Sequence, residues 1–228
     1  MATSSLAITP QFEVEDPLAY LPCSAVGIYR NREIIYTHAQ PSTRVYLVIE
    51  GKVKISRLVD GQSPVVVDIY TSDEFFGESA MLHMPHRMEE AAAVEETKVM
   101  SWSMVDIDDI ISRKPRLGVA LLQIMAQRTV GLTRRIESFA VDTIARRLAR
   151  SLIRFAERMG NAEESGAIHM PPLTHELLAQ YVGTSREIIT HYMTEFRRQG
   201  YIRYSRKGIS VHRDAFLEWV RRDVQEAA

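Results

Sequence analysis

The chain has 228 residues, 46% of them hydrophobic, and a formal net charge of −1 at pH 7, which is enough apolar material for one large or two small packed cores. Its single cysteine, Cys23, excludes an internal disulfide, a four-cysteine zinc site and a cysteine-ligated iron–sulfur cluster, and we expect this thiol to fill a small apolar gap. Because the chain shows no signal-peptide pattern and no stretch near the ~18 uninterrupted apolar residues of a membrane span, we expect it in the cytoplasm and without a membrane partner.

The first part of the chain, from about Tyr29 to Trp102, reads as short β-rich runs separated by turns: "REIIYT", "RVYLVIEGKVKISRLV", "PVVVDIY" and "AAAVEETKVMSW". Glu50-Gly51 separates two alternating runs and Asp60-Gly61 follows the second, so both pairs are predicted hairpin turns. The sequence therefore predicts a compact antiparallel β domain over residues 1–114.

A long helix is predicted next, from about Pro115 to about Val141, because the period changes after Asp106 and proline suits a first helical turn. One row of this helix recurs at spacings of three and four, as in a coiled-coil seam: Leu122, Met125, Thr129, Leu132, Ile136 and Phe139. A second apolar row offers the β domain a different side: Leu121, Ile124 and Val130. The alternative is a helix packed wholly on its own domain, but we expect 115–142 to dimerise in parallel with a second copy.

The rest of the chain, 143–228, has the element order of a winged helix-turn-helix. A helix, "IARRLARSLIRFAERMG", is followed by a polar connection, "NAEESGAIHMPP", and by two helical patterns around Gly183. Two short strand-like runs flank Lys207-Gly208, and a terminal helix is predicted from about Asp214.

The second helix of the pair is predicted to begin at Thr184, because Thr184 and Glu187 match a capping box. Helical spacing buries one side and exposes another; the buried side is Ile189, Met193 and Phe196, and the exposed side is Arg186, Glu187, Thr190 and His191. Arginine can donate two hydrogen bonds to guanine, and glutamate can accept one from cytosine. On spacing alone, a solvated helix side with a capping glutamate explains the pattern equally well.

Charge is divided unevenly along the chain. Residues 1–133 carry a net charge of −5 and residues 134–228 carry +4. The asymmetry favours contact between the C-terminal half and an anion.

The motif "LTHELLAQYVGTSREIITHYMTEFRRQGYI", together with "YLVIEGKVKIS", "FFGES" and the long helix, resembles the family of the cyclic AMP receptor protein and the fumarate and nitrate reduction regulator. The resemblance covers about residues 15–215. It implies an α+β chain with an N-terminal β-roll sensor like those that bind cyclic nucleotides, a dimerisation helix and a C-terminal winged helix-turn-helix. It also implies a cytoplasmic homodimer that binds a double-stranded DNA operator, and RNA polymerase if it is an activator.

The resemblance assigns DNA contacts in particular to Ser185, Arg186 and Glu187, which match the family's S-R-E opening of the recognition helix. Family members generally have arginine where this chain has His191. The full set of residues we expect at DNA is Thr174, Thr184, Ser185, Arg186, Glu187, Thr190, His191, Arg206 and Lys207.

An effector pocket is implied inside the β-roll. Gly77 and Glu78 match the pair that meets the ribose of a cyclic nucleotide, and Arg87 lies near the position of the phosphate-binding arginine. Three departures weigh against cyclic AMP: Met88-Glu89 follow Arg87 instead of serine and alanine, the gap from Glu78 to Arg87 is one residue shorter, and Leu132-Thr133 replace the Thr-Ser pair that reaches adenine. We expect Glu78 and Arg87 to pair with each other, and the effector stays unassigned.

Parts of the sequence also raise other functions. "MLHMPHRM" contains methionine and histidine ligands, and His83 raises the alternative of a haem or redox gas sensor, but a methionine-rich surface turn is the preferred interpretation. A cyclic-nucleotide-binding module without DNA binding, as in kinase regulatory subunits, leaves the winged helix unexplained. No nucleophile elbow, P-loop or dinucleotide fingerprint is present, so we expect neither an enzyme nor a metal site.

Overall fold

The computed structural model describes residues 15–58 and 64–225. The predicted turn at Asp60-Gly61 lies outside these residues. The strands are β1 Val26–Tyr29, β2 Ile34–Tyr36, β3 Arg44–Glu50, β4 Lys52–Arg57, β5 Val65–Thr71, β6 Phe75–Phe76, β7 Glu90–Ala93, β8 Thr97–Ser103, β9 Asn161–Ala162, β10 Ile168–Met170, β11 Ile202–Ser205 and β12 Gly208–Val211. The helices are α1 Met104–Arg113, α2 Arg116–Val141, α3 Ile144–Met159, α4 His175–Val182, α5 Arg186–Arg198 and α6 Arg213–Gln225.

The N-terminal half is an antiparallel β-roll made of two four-stranded sheets. Their strand orders are β1-β8-β3-β6 and β2-β7-β4-β5. The predicted hairpin at Glu50-Gly51 is wrong, because β3 and β4 belong to different sheets. Gly51 instead carries the chain from one sheet to the other at a φ of 90°, where a Cβ atom would lie 2.6 Å from the Glu96 carbonyl oxygen.

The long helix begins and ends where the sequence predicts, with Pro115 at its N-cap position. Its first turns close the β-roll, since Leu117 and Leu121 are buried in one core cluster with Phe75 and Trp102. Val130 was predicted to share this inward side but is 52% exposed, so that prediction is wrong. Beyond Ile124, arginines take the inward positions, and the guanidinium group of Arg128 contacts the Phe75 carbonyl oxygen.

The C-terminal half places α3, α4, α5 and α6 around one core with a small sheet of order β11-β12-β10-β9. The segment "NAEESGAIHMPP" was predicted as a connection, yet it contains β9 and β10. Strands of two and three residues are too short to show alternation in sequence, and β10 is held by pairing with β12, a strand 40 residues later along the chain.

The two halves share a packed junction. Val66 and Ile69 of β5 belong to the same buried cluster as Leu152 of α3 and Leu178 of α4. Asp68, which lies between Val66 and Ile69 in β5, is only 6% exposed and pairs with Arg154 and Arg158 of α3. Strand β5 therefore contacts the C-terminal half directly.

Candidate nucleic-acid interface

The turn between α4 and α5 fixes where the exposed helix begins. Gly183 adopts a left-handed conformation, and the backbone N–H groups of Gly183 and Thr184 both donate to the Ala179 carbonyl oxygen. The backbone of Thr184 therefore closes α4 and does not cap α5. Ser185 is the N-cap instead, its hydroxyl accepting from the Ile188 N–H at 3.3 Å, so the predicted start at Thr184 is wrong by one residue.

One side of α5 is anchored in the core. Ile189, Met193 and Phe196 are at most 1% exposed, as predicted. The Phe196 ring packs edge-on against Phe216 and Trp219, with centroids 4.7 and 5.2 Å away. This packing fixes the rotation of α5 about its axis and therefore the direction of its outer face.

The outer face, defined as Arg186, Glu187, Thr190 and His191, is exposed to solvent. Arg186 makes no side-chain hydrogen bond or ion pair within the described residues, so both edges of its guanidinium group are free to donate. Hydrogen bonds from its own backbone amide and from the Ser185 hydroxyl lower the pKa of Glu187, which keeps this side chain a carboxylate at neutral pH. The outer face therefore presents the unpaired guanidinium group of Arg186, a hydrogen-bond donor, next to the Glu187 carboxylate, a hydrogen-bond acceptor.

Thr190 is held by a residue that sequence reasoning missed. Its hydroxyl donates to the Arg186 carbonyl oxygen at 2.9 Å and lies 2.9 Å from Nδ1 of His175. Since the hydroxyl proton is used within the helix, the imidazole Nδ1–H is the donor to Thr190. Burial, and then the nearby Arg186 charge, lower the pKa of His175. His175 positions Thr190, and no one-dimensional pattern signals this contact because it joins two helices.

The wing supplies further cations. Arg206 and Lys207 lie exposed in the turn between β11 and β12, as predicted. The guanidinium group of Arg197, near the end of α5, lies 5.1 Å from the Tyr204 ring centroid of β11. Thr174 is exposed and caps α4, accepting from the Leu177 N–H at 3.1 Å. Arg197 and Tyr204 were absent from the predicted set.

The predicted effector residues of the β-roll adopt a different arrangement from the one expected. Arg87 is 4% exposed, and it donates to the carbonyl oxygens of Gly77 at 3.1 Å and Arg44 at 2.6 Å. Its guanidinium carbon lies 4.0 Å from the Tyr36 ring centroid. Arg87 is therefore engaged by backbone carbonyls and an aromatic face.

Glu78 does not pair with Arg87, so that prediction is wrong. Its carboxylate pairs with Arg128 of α2 at 2.9 Å, a partner 50 residues away that local sequence does not indicate. Leu132 is 41% exposed on α2, and the hydroxyl of Thr133 donates to the Thr129 carbonyl oxygen of the same helix. Among the described residues, Glu78 and Arg87 are bonded to other partners.

Aromatic rings occupy the interior next to Arg87. Phe76 is fully buried, and its ring centroid lies 5.0 Å from Tyr46, 6.1 Å from Tyr36 and 6.1 Å from Tyr70. Burial raises the pKa of Tyr36 well above its usual value, so its phenol stays neutral. These packed rings form the interior beside the Arg87 guanidinium group.

The methionine- and histidine-containing segment forms a surface turn. His83, His86 and Met88 are exposed. Among residues 15–58 and 64–225 no group of three or more histidine, cysteine or acidic side chains is arranged to hold a metal ion.

Cys23 is also exposed, which corrects its expected role as an apolar filler. No helix in the described part of the chain has the length and apolarity to span a membrane.

Two family models match the chain, one for the cyclic nucleotide-binding domain over residues 27–114 and one for a Crp-like helix-turn-helix domain over 146–218. The chain is 27% identical, over 78% of its length and 79% of the other, to a CRP-like cAMP-activated global transcriptional regulator of Mycobacterium tuberculosis. It is 30% identical, over 72% and 76% of the two chains, to the transcriptional regulator SdrP of Thermus thermophilus. The solved structure of FixK2 from Bradyrhizobium japonicum has the same fold, with a TM-score of 0.76, 18% identity and coverage of 86% and 96%.

Proposed function

The chain belongs to the CRP/FNR family of DNA-binding transcriptional regulators, and we propose that it acts as a homodimer whose two α5 helices read a two-fold symmetric operator. The proposed division of labour is a sensor over residues 1–114, a dimerisation helix over 115–142 and a DNA-binding domain over 143–228. If the chain is an activator, RNA polymerase is a further partner.

The observation that carries this proposal is the outer face of α5. A recognition helix in the major groove reads bases through a few side chains near its N-terminus. Arg186 and Glu187 occupy the first two positions of α5 and are exposed, and Arg186 has no competing side-chain partner among the described residues. Arg197, Arg206 and Lys207 flank the face, where they are suited to phosphate contacts that fix orientation.

Dimerisation is supported by the coiled-coil row of α2. Leu122 and Ile136 are each 69% exposed in a single chain, and Leu132 is 41% exposed. Exposed apolar side chains in a heptad pattern on one helix are typical of a seam that a second helix covers. Phe139 fits the seam least well. Its ring lies 5.0 Å from the Arg147 guanidinium carbon and is therefore directed toward α3. A parallel pair of α2 helices would carry the two α5 helices to successive major grooves, about 34 Å apart.

We propose that cyclic AMP is not the effector, although the relative from Mycobacterium tuberculosis is named as cAMP-activated. A cyclic phosphate needs several free donors, but the terminal nitrogens of Arg87 already donate to two backbone carbonyls, and its Nε alone is without a partner in the described part of the chain. Glu89 adds a carboxylate nearby, accepting from the Ser79 hydroxyl at 2.9 Å. Binding would have to displace these contacts and open the ring stack around Phe76.

The proposal is tested by selecting binding sites from random DNA with the purified chain, with and without added cyclic AMP. We expect a palindrome with half-sites one helical turn apart, recovered equally well without the nucleotide. Recovery of a single unrepeated half-site would contradict the dimer, and recovery of any site only with cyclic AMP would contradict the effector assignment.

A further inference from the structure

A cavity of about 910 Å³ lies at the junction of the β-roll, α2 and α3. Its walls include Tyr70 and Phe75 from the β-roll, Arg135 and Phe139 from α2, and Arg147 from α3. The volume is within the range of small-molecule pockets, roughly 300 to 1,000 Å³. Glu78 and Arg87 do not line it, although Arg128, which pairs with Glu78, does, so the cavity adjoins the predicted nucleotide residues without including them.

Some wall arginines are already neutralised. Arg154 and Arg158 pair with the buried Asp68 at 3.3 and 2.9 Å, and Arg150 pairs with Asp142 at 2.8 Å. These pairs hold α3 against β5 and close the end of α2. They form the rigid part of the wall and offer little charge to a ligand.

Three other wall arginines have no carboxylate partner among the described residues: Arg134, Arg135 and Arg147. Arg135 donates to the backbone carbonyls of Val66 and Tyr181, while Arg134 and Arg147 make no side-chain hydrogen bond within the described residues. Two wall carboxylates, Asp73 and Glu137, are also unpaired there; like Arg134 they are exposed, where water and salt screen their charge. Arg135 and Arg147 are only partly exposed, so the half-enclosed part of the cavity carries their positive charge without a paired carboxylate, and Arg134 lies at its open edge.

The Phe139 ring lies between two of these arginines, Arg135 and Arg147. The guanidinium carbons of Arg135 and Arg147 lie 5.4 and 5.0 Å from its ring centroid. The Nε atoms of both arginines are buried and have no hydrogen-bond partner in the described part of the chain. A buried donor without an acceptor is unfavourable, so an anion drawing these side chains toward it would gain bonds that the free protein lacks.

The three arginines flank the link between α2 and α3, which is formed by Asp142 and Thr143. Arg134 and Arg135 precede Asp142, the C-cap residue of α2, and Arg147 follows Thr143, the N-cap residue of α3. A ligand held by both sets would fix the angle between the dimerisation helix and the first helix of the DNA-binding half.

We propose that this cavity binds a small polyanion, a metabolite carrying two or more phosphate or carboxylate groups, which bridges Arg134 and Arg147 and so sets the orientation of the DNA-binding half. The regulatory consequence rests on the proposed function, whereas binding itself does not. Guanidinium groups recognise both kinds of anion through paired, charge-assisted hydrogen bonds, so the source of the negative charge is decided by experiment.

Calorimetric titration of the full chain at constant ionic strength, with inorganic pyrophosphate and citrate as separate probes, tests the binding site. We expect one probe bound per chain, and the stronger of the two identifies phosphate or carboxylate as the preferred group. Replacing both arginines, Arg134→Gln with Arg147→Gln, should weaken binding by at least about tenfold, since each loses a hydrogen bond to a charged group. Neither arginine has a carboxylate partner to leave unpaired, so the variant should fold.

The matched control is a variant of the DNA-binding face, Arg186→Gln with Arg197→Gln, because a polyanion could also bind there. This control should retain wild-type affinity for the probe. Loss of binding in the control and retention in the cavity variant would overturn the proposal, as would the absence of saturable binding of either probe at millimolar concentration.

A second arm measures operator affinity with saturating probe. We expect a change of several-fold or more in the wild type and none in the cavity variant. If the probe binds and operator affinity is unchanged, the regulatory part of the proposal is wrong. If no operator is bound under any condition while the calorimetric result holds, the proposed function fails and the polyanion site stands.

Discussion

Ile136→Ser tests the dimer seam with a magnitude that the structure supplies. Ile136 is 69% exposed in the single chain and lies in the heptad row of α2. Fully burying an isoleucine side chain contributes about 1.5 to 3 kcal/mol, so covering the exposed part contributes about 1 to 2 kcal/mol in each protomer. Both protomers carry the change, so the dimer should lose about 2 to 4 kcal/mol, which corresponds to a roughly 30- to 1,000-fold higher dissociation constant.

Sedimentation equilibrium over a range of protein concentrations measures this constant, and operator affinity should fall in parallel. The matched control is Val105→Ser on α1, because Val105 is 77% exposed but lies outside the seam; we expect no change in its dimer constant. Equal effects of the two substitutions, or a wild-type chain that is monomeric at micromolar concentration even on DNA, would refute the reasoning.

The remaining predictions concern the effector, the wing and pH. Because Arg87 is engaged by two carbonyls, calorimetry should detect no cyclic AMP binding at tens of micromolar, and a low-micromolar dissociation constant with tighter operator binding would contradict this. Lys207→Ala should weaken binding to all sequences alike and reduce the salt slope by about one, whereas a changed preferred sequence would show that Lys207 reads bases. The pKa of His175 is lowered in the folded chain, so the unfolded chain takes up the proton more readily, and the free energy of unfolding should fall as pH drops below the ordinary histidine value of about 6.5. Denaturant titrations should show a shallower fall for His175→Gln, and identical pH profiles would exclude His175 as a cause.

The sequence predicted the elements whose periodicity extends over several turns. In α5, Ile189, Met193 and Phe196 repeat at helical spacing, so both the buried side and the outer face followed from local pattern alone. The same holds for the bounds of α2, which Pro115 and the heptad row define. The cap of α5 was placed one residue early because Thr184 has a glutamate three residues later and the true cap, Ser185, does not. Only the backbone bonds to Ala179 assign Thr184 to the preceding helix.

Contacts between distant segments could not be predicted in this way. Glu78 was matched with the nearby Arg87, but its partner is Arg128 on a helix that folds back over the β-roll. Gly51 looked like a hairpin turn because alternation specifies a strand and not the sheet to which it belongs. The inward side of α2 was expected to be apolar. Arg128 and Arg135 lie there instead, because backbone carbonyl oxygens of the β-roll accept hydrogen bonds from their guanidinium groups.

The central claim is that the outer face of α5 reads bases, and the most direct test is the discrimination of Arg186→Ala between the selected operator and operators changed at single base pairs. The matched control is Arg198→Ala on the same helix, since Arg198 is exposed but pairs with Glu195 at 2.7 Å. At fixed salt, Arg186→Ala should lower discrimination at one base pair per half-site by about 1 to 3 kcal/mol, while Arg198→Ala leaves the preference at every position unchanged. An Arg186→Ala protein that selects the same sequence with the same discrimination would contradict the claim.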